Sequence, residues 1–227
     1  MRLSYRLKLA LFFLCAVITL FIVNTAYSGL NTLSRLNSVE AERDQWQRPS
    51  DVVQALALKP GNVVVDLGCG SGYFTLKLSA PVGNDGKVLA EDIRRLPLMF
   101  LWFRAFLKNE HNVRVMHGDP SDPHLTAQEV NAVLIANTYH EFTDSKSILV
   151  HVYRSLVPGG RLVVVDREPQ TFEARSGETA MVHHEISSEQ VEDELRRAGF
   201  EIVDRQDRFI EKDPSNEAWW LIVTRKP

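Results

Sequence analysis

The sequence is poor in cysteine: its 227 residues contain only Cys15 and Cys69. Cys15 lies in an apolar stretch near the N-terminus and Cys69 in a glycine-rich segment, so we expect no internal disulfide. Neither the spacing of the two thiols nor their neighbours indicates a metal site. We interpret Cys69 as a packed residue rather than a redox centre, because this kind of loop often holds a small residue at that position.

The chain also lacks an excess of basic residues. It has 26 Lys and Arg against 29 Asp and Glu, and a formal net charge of -3. Because phosphate contacts need clustered Lys and Arg, nucleic acid is a poor candidate for the substrate. Internal repeats and low-complexity tracts are absent as well, and the length with 44% hydrophobic residues suits one α/β core plus a leader.

Residues 63–72, with the sequence VVVDLGCGSG, carry the most functional information. An unbroken apolar run that ends in glycine is typical of a strand buried on both faces of a parallel sheet, and residues 73–78 have helical composition. Glycines in a strand-to-helix turn let a ligand lie against bare backbone amides. The spacing G-x-G-x-G differs from the G-x-G-x-x-G of dinucleotide folds, so the segment predicts a nucleoside site and disfavours an NAD-dependent oxidoreductase.

The D-x-G-x-G-x-G pattern of residues 66–72 resembles the first motif of the class I methyltransferases that use S-adenosylmethionine (SAM). The L-x-P-G-G-x-L pattern of residues 156–162 is the second most specific match, and the W-Q-x-P, G-Y-F and T-Y-H segments look most like predicted small-molecule methyltransferases with exported leaders. The resemblance extends from about Trp46 to the C-terminus. It implies an α/β fold with a doubly wound, mostly parallel, seven-stranded, Rossmann-like sheet, and SAM as the cofactor.

The order of apolar segments predicts the remaining elements of such a sheet. After the first strand we expect strands at residues 86–92, 112–119 and 131–136, then a Pro-Gly-Gly turn that leads into a strand at 161–166. A helix at 188–198, capped by Gly199, and strands at 200–204 and 218–224 complete the order.

Ligands of doubly wound sheets lie beyond the carboxyl ends of the strands, so the residues that close each strand are the candidates for cofactor binding. A carboxylate after the second strand accepts hydrogen bonds from ribose hydroxyls, and Asp92 fits this role better than Glu91. The resemblance implies an acid beside the adenine, for which Asp119 is preferred over Asp122, and it implies that Asp66 and the glycines hold the methionine end. The candidate cofactor-binding residues are Asp66, Gly68, Cys69, Gly70, Gly72, Tyr73, Asp92, Ile93, Gly118, Asp119 and Asn137.

The candidate catalytic residues are His140, Glu141 and His184. A phenol or amine acceptor must lose a proton, and histidine, with a reference pKa of about 6.5, suits that task. The resemblance implies that residues after the fourth strand face the substrate, which favours His140 and Glu141. His184 lies where such enzymes often build a lid. For both histidines a structural role is the alternative, and no metal is expected, because adjacent histidines such as His183 and His184 point in opposite directions in an extended chain.

We therefore expect SAM-dependent methyl transfer to a small, lipophilic acceptor. The alternative is a binding module that retains the SAM pocket and does not turn over. The absence of an obvious Tyr-x-x-x-Lys pair further disfavours the oxidoreductase.

The N-terminal residues predict membrane targeting. Arg2, Arg6 and Lys8 precede an apolar stretch at residues 9–23, which indicates a signal anchor or signal peptide over residues 1–28. A partly helical linker at 29–47 and a methyltransferase domain at 48–227 follow. The favoured interpretation is a single-pass membrane protein with its N-terminus in the cytoplasm, and the alternative is export after cleavage near residue 28. This orientation puts the domain outside the cytosol, where SAM is made, and the sequence leaves that conflict open.

Residues 96–108 are apolar nearly all round except for Arg104 and Lys108. An outer helix of an α/β sheet should show one wet face. Contact with a bilayer surface, which would deliver a lipophilic substrate, and coverage by the leader, the linker or a second copy are equally favoured interpretations.

Overall fold

The computed structural model describes residues 5–168, 186–212 and 217–227. The chain divides into two compact units, with the boundary between Gln45 and Trp46. The first unit is helical and the second contains the sheet, so each is described separately.

The first unit consists of helix α1, Tyr5–Trp46, which continues without a break through the segment expected to be a linker. Its apolar part has a mean hydropathy of 2.0, and none of that stretch is buried. The helix is therefore long and apolar enough to cross a membrane, a criterion that signal sequences near an N-terminus also meet.

The second unit alternates strands and helices along the chain, as the sequence predicts. Its elements are α2 Pro49–Ala55, β1 Val63–Leu67, α3 Thr75–Val82, β2 Lys87–Asp92, α4 Arg95–Leu107, β3 Val113–His117, β4 Val130–Ala136, a 3₁₀ turn Tyr139–Glu141, α5 Ser145–Ser155, β5 Leu156–Arg167, α6 Ser188–Arg197, β6 Glu201–Lys212 and β7 Glu217–Arg225.

The seven strands form one sheet in the order β3-β2-β1-β4-β5-β7-β6. Strands β1 to β5 are parallel, and β7 lies antiparallel between β5 and β6. Leu67 at the end of β1 is level with Glu91 of β2 and Ile135 of β4. Because the strand order reverses at β1 and β4, a crevice opens beyond their carboxyl ends. The expected doubly wound, mostly parallel sheet is confirmed.

Each face of the sheet is covered by its own group of helices. On one face Val64 and Val163 pack with side chains of α2, α3 and α4, and on the other Val65 and Val164 pack with α5 and α6. Strand β7 contributes to both faces: Trp219 faces the first and Trp220 the second, as expected from the alternation of side chains along a strand. Burial on both faces explains why the central strands are uniformly apolar.

Two strands differ from the sequence expectation. The Pro-Gly-Gly segment is not a separate turn, because β5 begins at Leu156, pairs with Val130, and continues to Arg167 through a register shift in its pairing with β4. Strand β6 continues to Lys212 instead of ending at residue 204, because it pairs along β7 with two register shifts. Such irregularities let extended segments continue where the local sequence indicates a break.

Candidate cofactor and acceptor site

The turn after β1 is built from three glycines with left-handed φ angles of 75°, 54° and 90° at Gly68, Gly70 and Gly72. Their surroundings differ. A methyl group at Gly68 would overlap the side chain of Thr138, and one at Gly72 would overlap Leu101. At Gly70 it would meet only Nη2 of Arg94, at 4.0 Å. Gly68 and Gly72 thus allow the turn to pack against neighbouring elements, whereas Gly70 leaves an open, bare backbone.

Three of the candidate cofactor-binding residues pack around this turn. Asp66 is buried and its Oδ2 accepts a hydrogen bond of 2.5 Å from Oγ1 of Thr75, which joins β1 to the start of α3. Tyr73 is buried against Phe74, with ring centroids 4.8 Å apart. Burial raises the pKa of the Cys69 thiol, and the negative charges of nearby carboxylates, of which Asp66 contributes most, raise it further. The thiol therefore stays protonated, which agrees with a packing role.

A cavity of about 250 Å³ lies at the carboxyl ends of the parallel strands. Gly68, Asp92, Ile93, Asp119 and Glu141, all candidates from the sequence, contribute to its lining. The sequence had not assigned a role to several other lining residues, namely Leu67, Glu91, Arg94, Pro120, Thr138, Phe142, Thr143 and Ile148. The cavity therefore collects residues that follow β1, β2, β3 and β4.

Asp92 connects this cavity to the glycine turn. Its Oδ2 accepts a hydrogen bond of 2.9 Å from the backbone amide of Gly70. Its Oδ1 accepts from the backbone amide and from Nε of Arg94, at 2.8 and 3.2 Å. The Asp92 side chain is 3% exposed, whereas the Arg94 side chain is 60% exposed. Arg94 thus covers a carboxylate that the sequence assigns to the ribose.

Glu91, which precedes Asp92, is a second buried carboxyl group in the cavity wall. Burial raises its pKa to about 7, and the charge of Asp92 adds to the effect. A Cβ at Gly118 would overlap the Glu91 carboxylate, which would have to move to make room for it. Gly118 therefore shapes the cavity through Glu91.

Asp119 and Asn137 close β3 and β4. The Asp119 side chain is 63% exposed and its Oδ2 lies 2.9 Å from Nε2 of His124. Asp122, the alternative to Asp119 as the acid beside the adenine, is not among the described residues that line the cavity. Asn137 has a left-handed φ of 54°, and its buried Oδ1 has no hydrogen-bond partner within the described part of the chain. Such a strained residue with an unpaired polar atom is characteristic of ligand sites.

His140 and Asp166 form a buried hydrogen-bonded pair. Nδ1 of His140 lies 2.8 Å from Oδ1 of Asp166, whose side chain is fully buried. Because a carboxylate only accepts, Nδ1 carries the proton. Nη2 of Arg167 lies 3.3 Å from Nε2 of His140, and because a guanidinium only donates, Nε2 is the unprotonated nitrogen. Asp166 and Arg167 thus fix the neutral tautomer whose free lone pair is on Nε2.

Glu141, which lines the cavity, lies beside His140. Its Oε1 is 3.9 Å from Nε2 of His140, and its side chain is 58% exposed. His184, the third catalytic candidate, lies outside the described residues. The sequence had not identified Asp166 and Arg167 as partners of His140. The available signal was the position of Asp166 at the end of the strand that neighbours β4.

A seven-stranded sheet of this order, with a glycine turn after β1 and carboxylates after β2 and β3, defines the fold of the class I SAM-dependent methyltransferases. The chain belongs to the ubiE/COQ5 methyltransferase family, whose model matches residues 19–183. S-adenosylmethionine is the cofactor of this family.

Individual relatives agree with the family assignment. The chain is 26% identical over 138 residues to the demethylmenaquinone methyltransferase of Geobacillus stearothermophilus, a match that covers 61% of this chain and 59% of the relative. It is 30% identical over 124 residues to the ubiquinone/menaquinone biosynthesis C-methyltransferase UbiE of Marinomonas sp., covering 53% and 48%. The matches thus span half to three fifths of these relatives. A SAM-dependent methyltransferase from Aquifex aeolicus has the same fold, with a TM-score of 0.70, 22% identity and coverage of 86% and 98%.

The residues of the cavity fit this cofactor. Four carboxyl groups line it, from Glu91, Asp92, Asp119 and Glu141, against the single guanidinium of Arg94. Acceptor groups match the hydroxyls and amino groups of an adenosine and an amino acid. SAM carries more positive than negative groups, whereas a dinucleotide would bring phosphates against these acids. Gly70, whose amide donates to Asp92, and Asn137, whose Oδ1 is unpaired among the described residues, are not among the residues that line the cavity.

Proposed function

We propose that this protein transfers a methyl group from SAM to a small lipophilic acceptor with an ionisable ring hydroxyl, of the quinol or phenol type. The observation that carries the proposal is the convergence of the Gly70 turn and the Asp92 carboxylate on one acid-lined cavity, joined by a hydrogen bond of 2.9 Å. The names of the two curated relatives, which refer to demethylmenaquinone and to ubiquinone and menaquinone, support a quinol-type acceptor.

In this proposal each strand end holds one part of the cofactor. Asp92 accepts hydrogen bonds from the ribose hydroxyls, Asp119 lies beside the adenine, and the Gly70 backbone faces the methionine end. Nε of Arg94, whose side chain is 60% exposed, must then leave Oδ1 of Asp92, and a ribose hydroxyl replaces the hydrogen bond that it donates. Asp66, Cys69 and Tyr73 act by holding the turn in shape. Their burial supports this supporting role.

The bound cofactor supplies an electrophilic methyl group on a sulfonium. The chain contributes orientation and removal of the acceptor proton. An acceptor hydroxyl that displaces Arg167 from Nε2 of His140 gives its proton to that nitrogen, and the electron pair stays on the oxygen. Asp166 stabilises the resulting imidazolium, and the guanidinium of Arg167 faces the oxyanion. The buried Nε of Arg167, unpaired among the described residues, gives this side chain a further donor.

We also infer the placement of the protein. Residues 1–28 form a membrane anchor with its N-terminus in the cytoplasm, residues 29–47 connect it to the domain, and residues 48–227 form the methyltransferase domain. The length and hydropathy of α1 support this. Mass spectrometry of the mature protein separates it from export after cleavage, which would leave a chain that begins near Gly29.

The proposal is tested on the full chain in detergent. Calorimetry with S-adenosylhomocysteine should show binding, and Asp92→Ala should weaken it by about tenfold or more, because two hydroxyl contacts to a carboxylate are lost. Asp122→Ala, which removes an acid outside the cavity lining, is the matched control.

Mass spectrometry of products from a panel of quinols and phenols, with SAM as methyl donor, then tests turnover. A methylated product supports the proposal. Binding without any product across the panel would establish the alternative, a non-catalytic SAM-binding module, and failure to bind either form of the cofactor would reject both.

A further inference from the structure

Helix α4 has two unlike faces. Leu98, Leu101, Arg104 and Ala105 are buried against the sheet. The outward face carries large apolar side chains that are between 42% and 72% exposed, namely Leu96, Met99, Trp102, Phe103, Phe106 and Leu107. We call these six residues the α4 patch. Soluble α/β proteins show polar residues at such positions.

The members of the α4 patch form a continuous surface. Residues 96, 99, 103 and 106 follow the three- and four-residue spacing that aligns side chains along one side of a helix. The rings of Trp102 and Phe106 stack, with centroids 6.1 Å apart and an interplanar angle of 13°. Single exposed apolar residues are ordinary, whereas a contiguous group indicates an interaction surface.

The charged residues of α4 and its two flanking positions have one sign. Arg94 and Arg95 lie exposed at the start of the helix and Lys108 at its end, and no acidic residue occurs between residues 93 and 109. Arg104 does not belong to this basic rim, because it is buried and its Nη1 donates to the backbone oxygen of Ser71 at 2.5 Å. The rim is therefore confined to the two ends of the helix.

We propose that the α4 patch binds the surface of an anionic lipid bilayer. A helix that lies in the interface buries its apolar side among the lipid chains and directs its basic residues to the headgroups. A second copy of the chain fits less well, because a two-fold contact brings the same patch together and sets Arg94, Arg95 and Lys108 against their equivalents. Tryptophan and phenylalanine are also the side chains that favour the boundary between lipid and water.

The surface adjoins the cavity. Ile93 and Arg94 line the cavity, and α4 begins at the next residue. Ile93 is itself apolar and 51% exposed, and it lies three residues before Leu96, the first member of the α4 patch. A bilayer on α4 therefore allows a lipophilic acceptor to enter without passing through water. This consequence rests on the proposed function, whereas the binding of lipid does not.

The binding is tested by spin labelling of the full chain in vesicles of phosphatidylcholine and phosphatidylglycerol. The exposed Cys15 is replaced by Ser, and Cys69 is buried, so that the label attaches to an introduced cysteine. This cysteine is either Phe103→Cys or Val150→Cys. Val150 is a 45% exposed apolar residue of α5, which covers the opposite face of the sheet, so it is the matched control. The two labels share the same N-terminal helix and differ only in the face that they report.

We expect the label at 103 to be accessible to oxygen and protected from a water-soluble nickel complex, and the label at 150 to show the reverse. Equal exposure of both labels to the nickel complex would overturn the proposal, as would spin-spin broadening at 103 that indicates a second copy.

A double variant, Phe103→Glu with Phe106→Glu, tests the consequence for substrate entry. It should lower turnover of a long-chain quinol in vesicles by at least tenfold and leave turnover of a short, water-soluble quinol unchanged. Unchanged binding of S-adenosylhomocysteine verifies that the variant is folded. An equal loss for both quinols would overturn the entry path. If the wild type turned over neither quinol, the proposed function would fail, and the spin labels would still decide the binding of lipid.

Discussion

At the scale of single residues, the position of one proton determines what His140 can do. Asp166 holds that proton on Nδ1, at 2.8 Å from its Oδ1. In Asp166→Asn the amide group can donate to Nδ1, which moves the proton to Nε2 and removes the base. We expect kcat/KM to fall by about 10²-fold or more, in line with the contribution of a general base. Kinetics across pH should show loss of the acidic limb, on which activity rises with pH.

Affinity for S-adenosylhomocysteine distinguishes this positioning role from a structural one. It should be unchanged in Asp166→Asn, because Asp166 is outside the cavity lining. If cofactor affinity and turnover fell together, Asp166 would be a residue of the fold rather than of the reaction.

A second prediction concerns Glu91, whose pKa is raised to about 7 by burial. Between its ordinary pKa and about pH 7, the folded protein holds a proton that the unfolded chain has released. The free energy of unfolding therefore falls as pH rises through this window, by on the order of 3 kcal/mol. In Glu91→Gln this decline disappears.

The measurement is thermal or denaturant unfolding of both proteins from pH 5 to pH 8. As pH rises, the free energy of unfolding of the variant should increase relative to that of the wild type. Comparing the two proteins at each pH cancels the contribution of the other titrating groups. A constant difference across this range would show that Glu91 is already ionised in the folded state.

Some site residues could be predicted from the sequence because they are local to a strand end. Asp92 and Asp119 follow β2 and β3, and both line the cavity. The contact between His140 and Asp166 could not be predicted from the sequence, because it depends on the register of β4 with β5. A register shift between Val130 and Ala132 alters that pairing. The burial of Arg104 could not be predicted for a related reason, because helical spacing does not reveal that the Ser71 backbone lies within reach of this side chain.

At the scale of elements, we expect different glycines of the turn to serve stability and cofactor binding. The Thr138 hydroxyl lies within hydrogen-bond distance of two backbone oxygens, those of Gly68 at 3.3 Å and Ala136 at 3.1 Å, and its one proton is shared between them. In Gly68→Ala the new methyl group overlaps this side chain, at a φ of 75°. We expect a loss of about 2–4 kcal/mol in the free energy of unfolding, from overpacking and backbone strain together.

Gly70→Ala is the matched variant. It has the same kind of φ and open space around it, so we expect a loss of only about 1–2 kcal/mol. In the proposed function the Gly70 backbone faces the methionine end of the cofactor, so binding of S-adenosylhomocysteine should weaken instead. Unfolding and calorimetry on both variants test this division. Equal effects of the two substitutions on stability would contradict it.

The elements themselves were predictable where hydrophobic patterning is strong. The central strands are buried on both faces and read as apolar runs, and α6 begins where the Ser187 side chain accepts from the backbone amide of Gln190. Strand β6 was predicted too short, because its polar second half is extended only through pairing with β7. Propensity gives no signal for a strand that depends on its partner.

At the scale of the whole molecule, the direction of α1 in the proposed membrane anchor decides which compartment the domain occupies. Arg2, Arg6 and Lys8 precede its apolar part, whereas Arg35 and Arg43 follow it among acidic residues. Positive residues stay in the cytoplasm, so we expect the domain on the far side of the membrane. In a bacterial host, alkaline phosphatase fused after Pro227 should be active, and green fluorescent protein fused there should stay dark.

Replacement of Arg2, Arg6 and Lys8 by Gln should reverse this pattern, because Arg35 and Arg43 then carry the only positive charges near the apolar segment. The chain up to Pro227 is otherwise unchanged, so the variant controls for effects of the reporters themselves. A fluorescent fusion in the wild type would instead place the domain in the cytosol with SAM. The observed orientation therefore also tells whether the cofactor must cross the membrane to reach the Asp92 cavity.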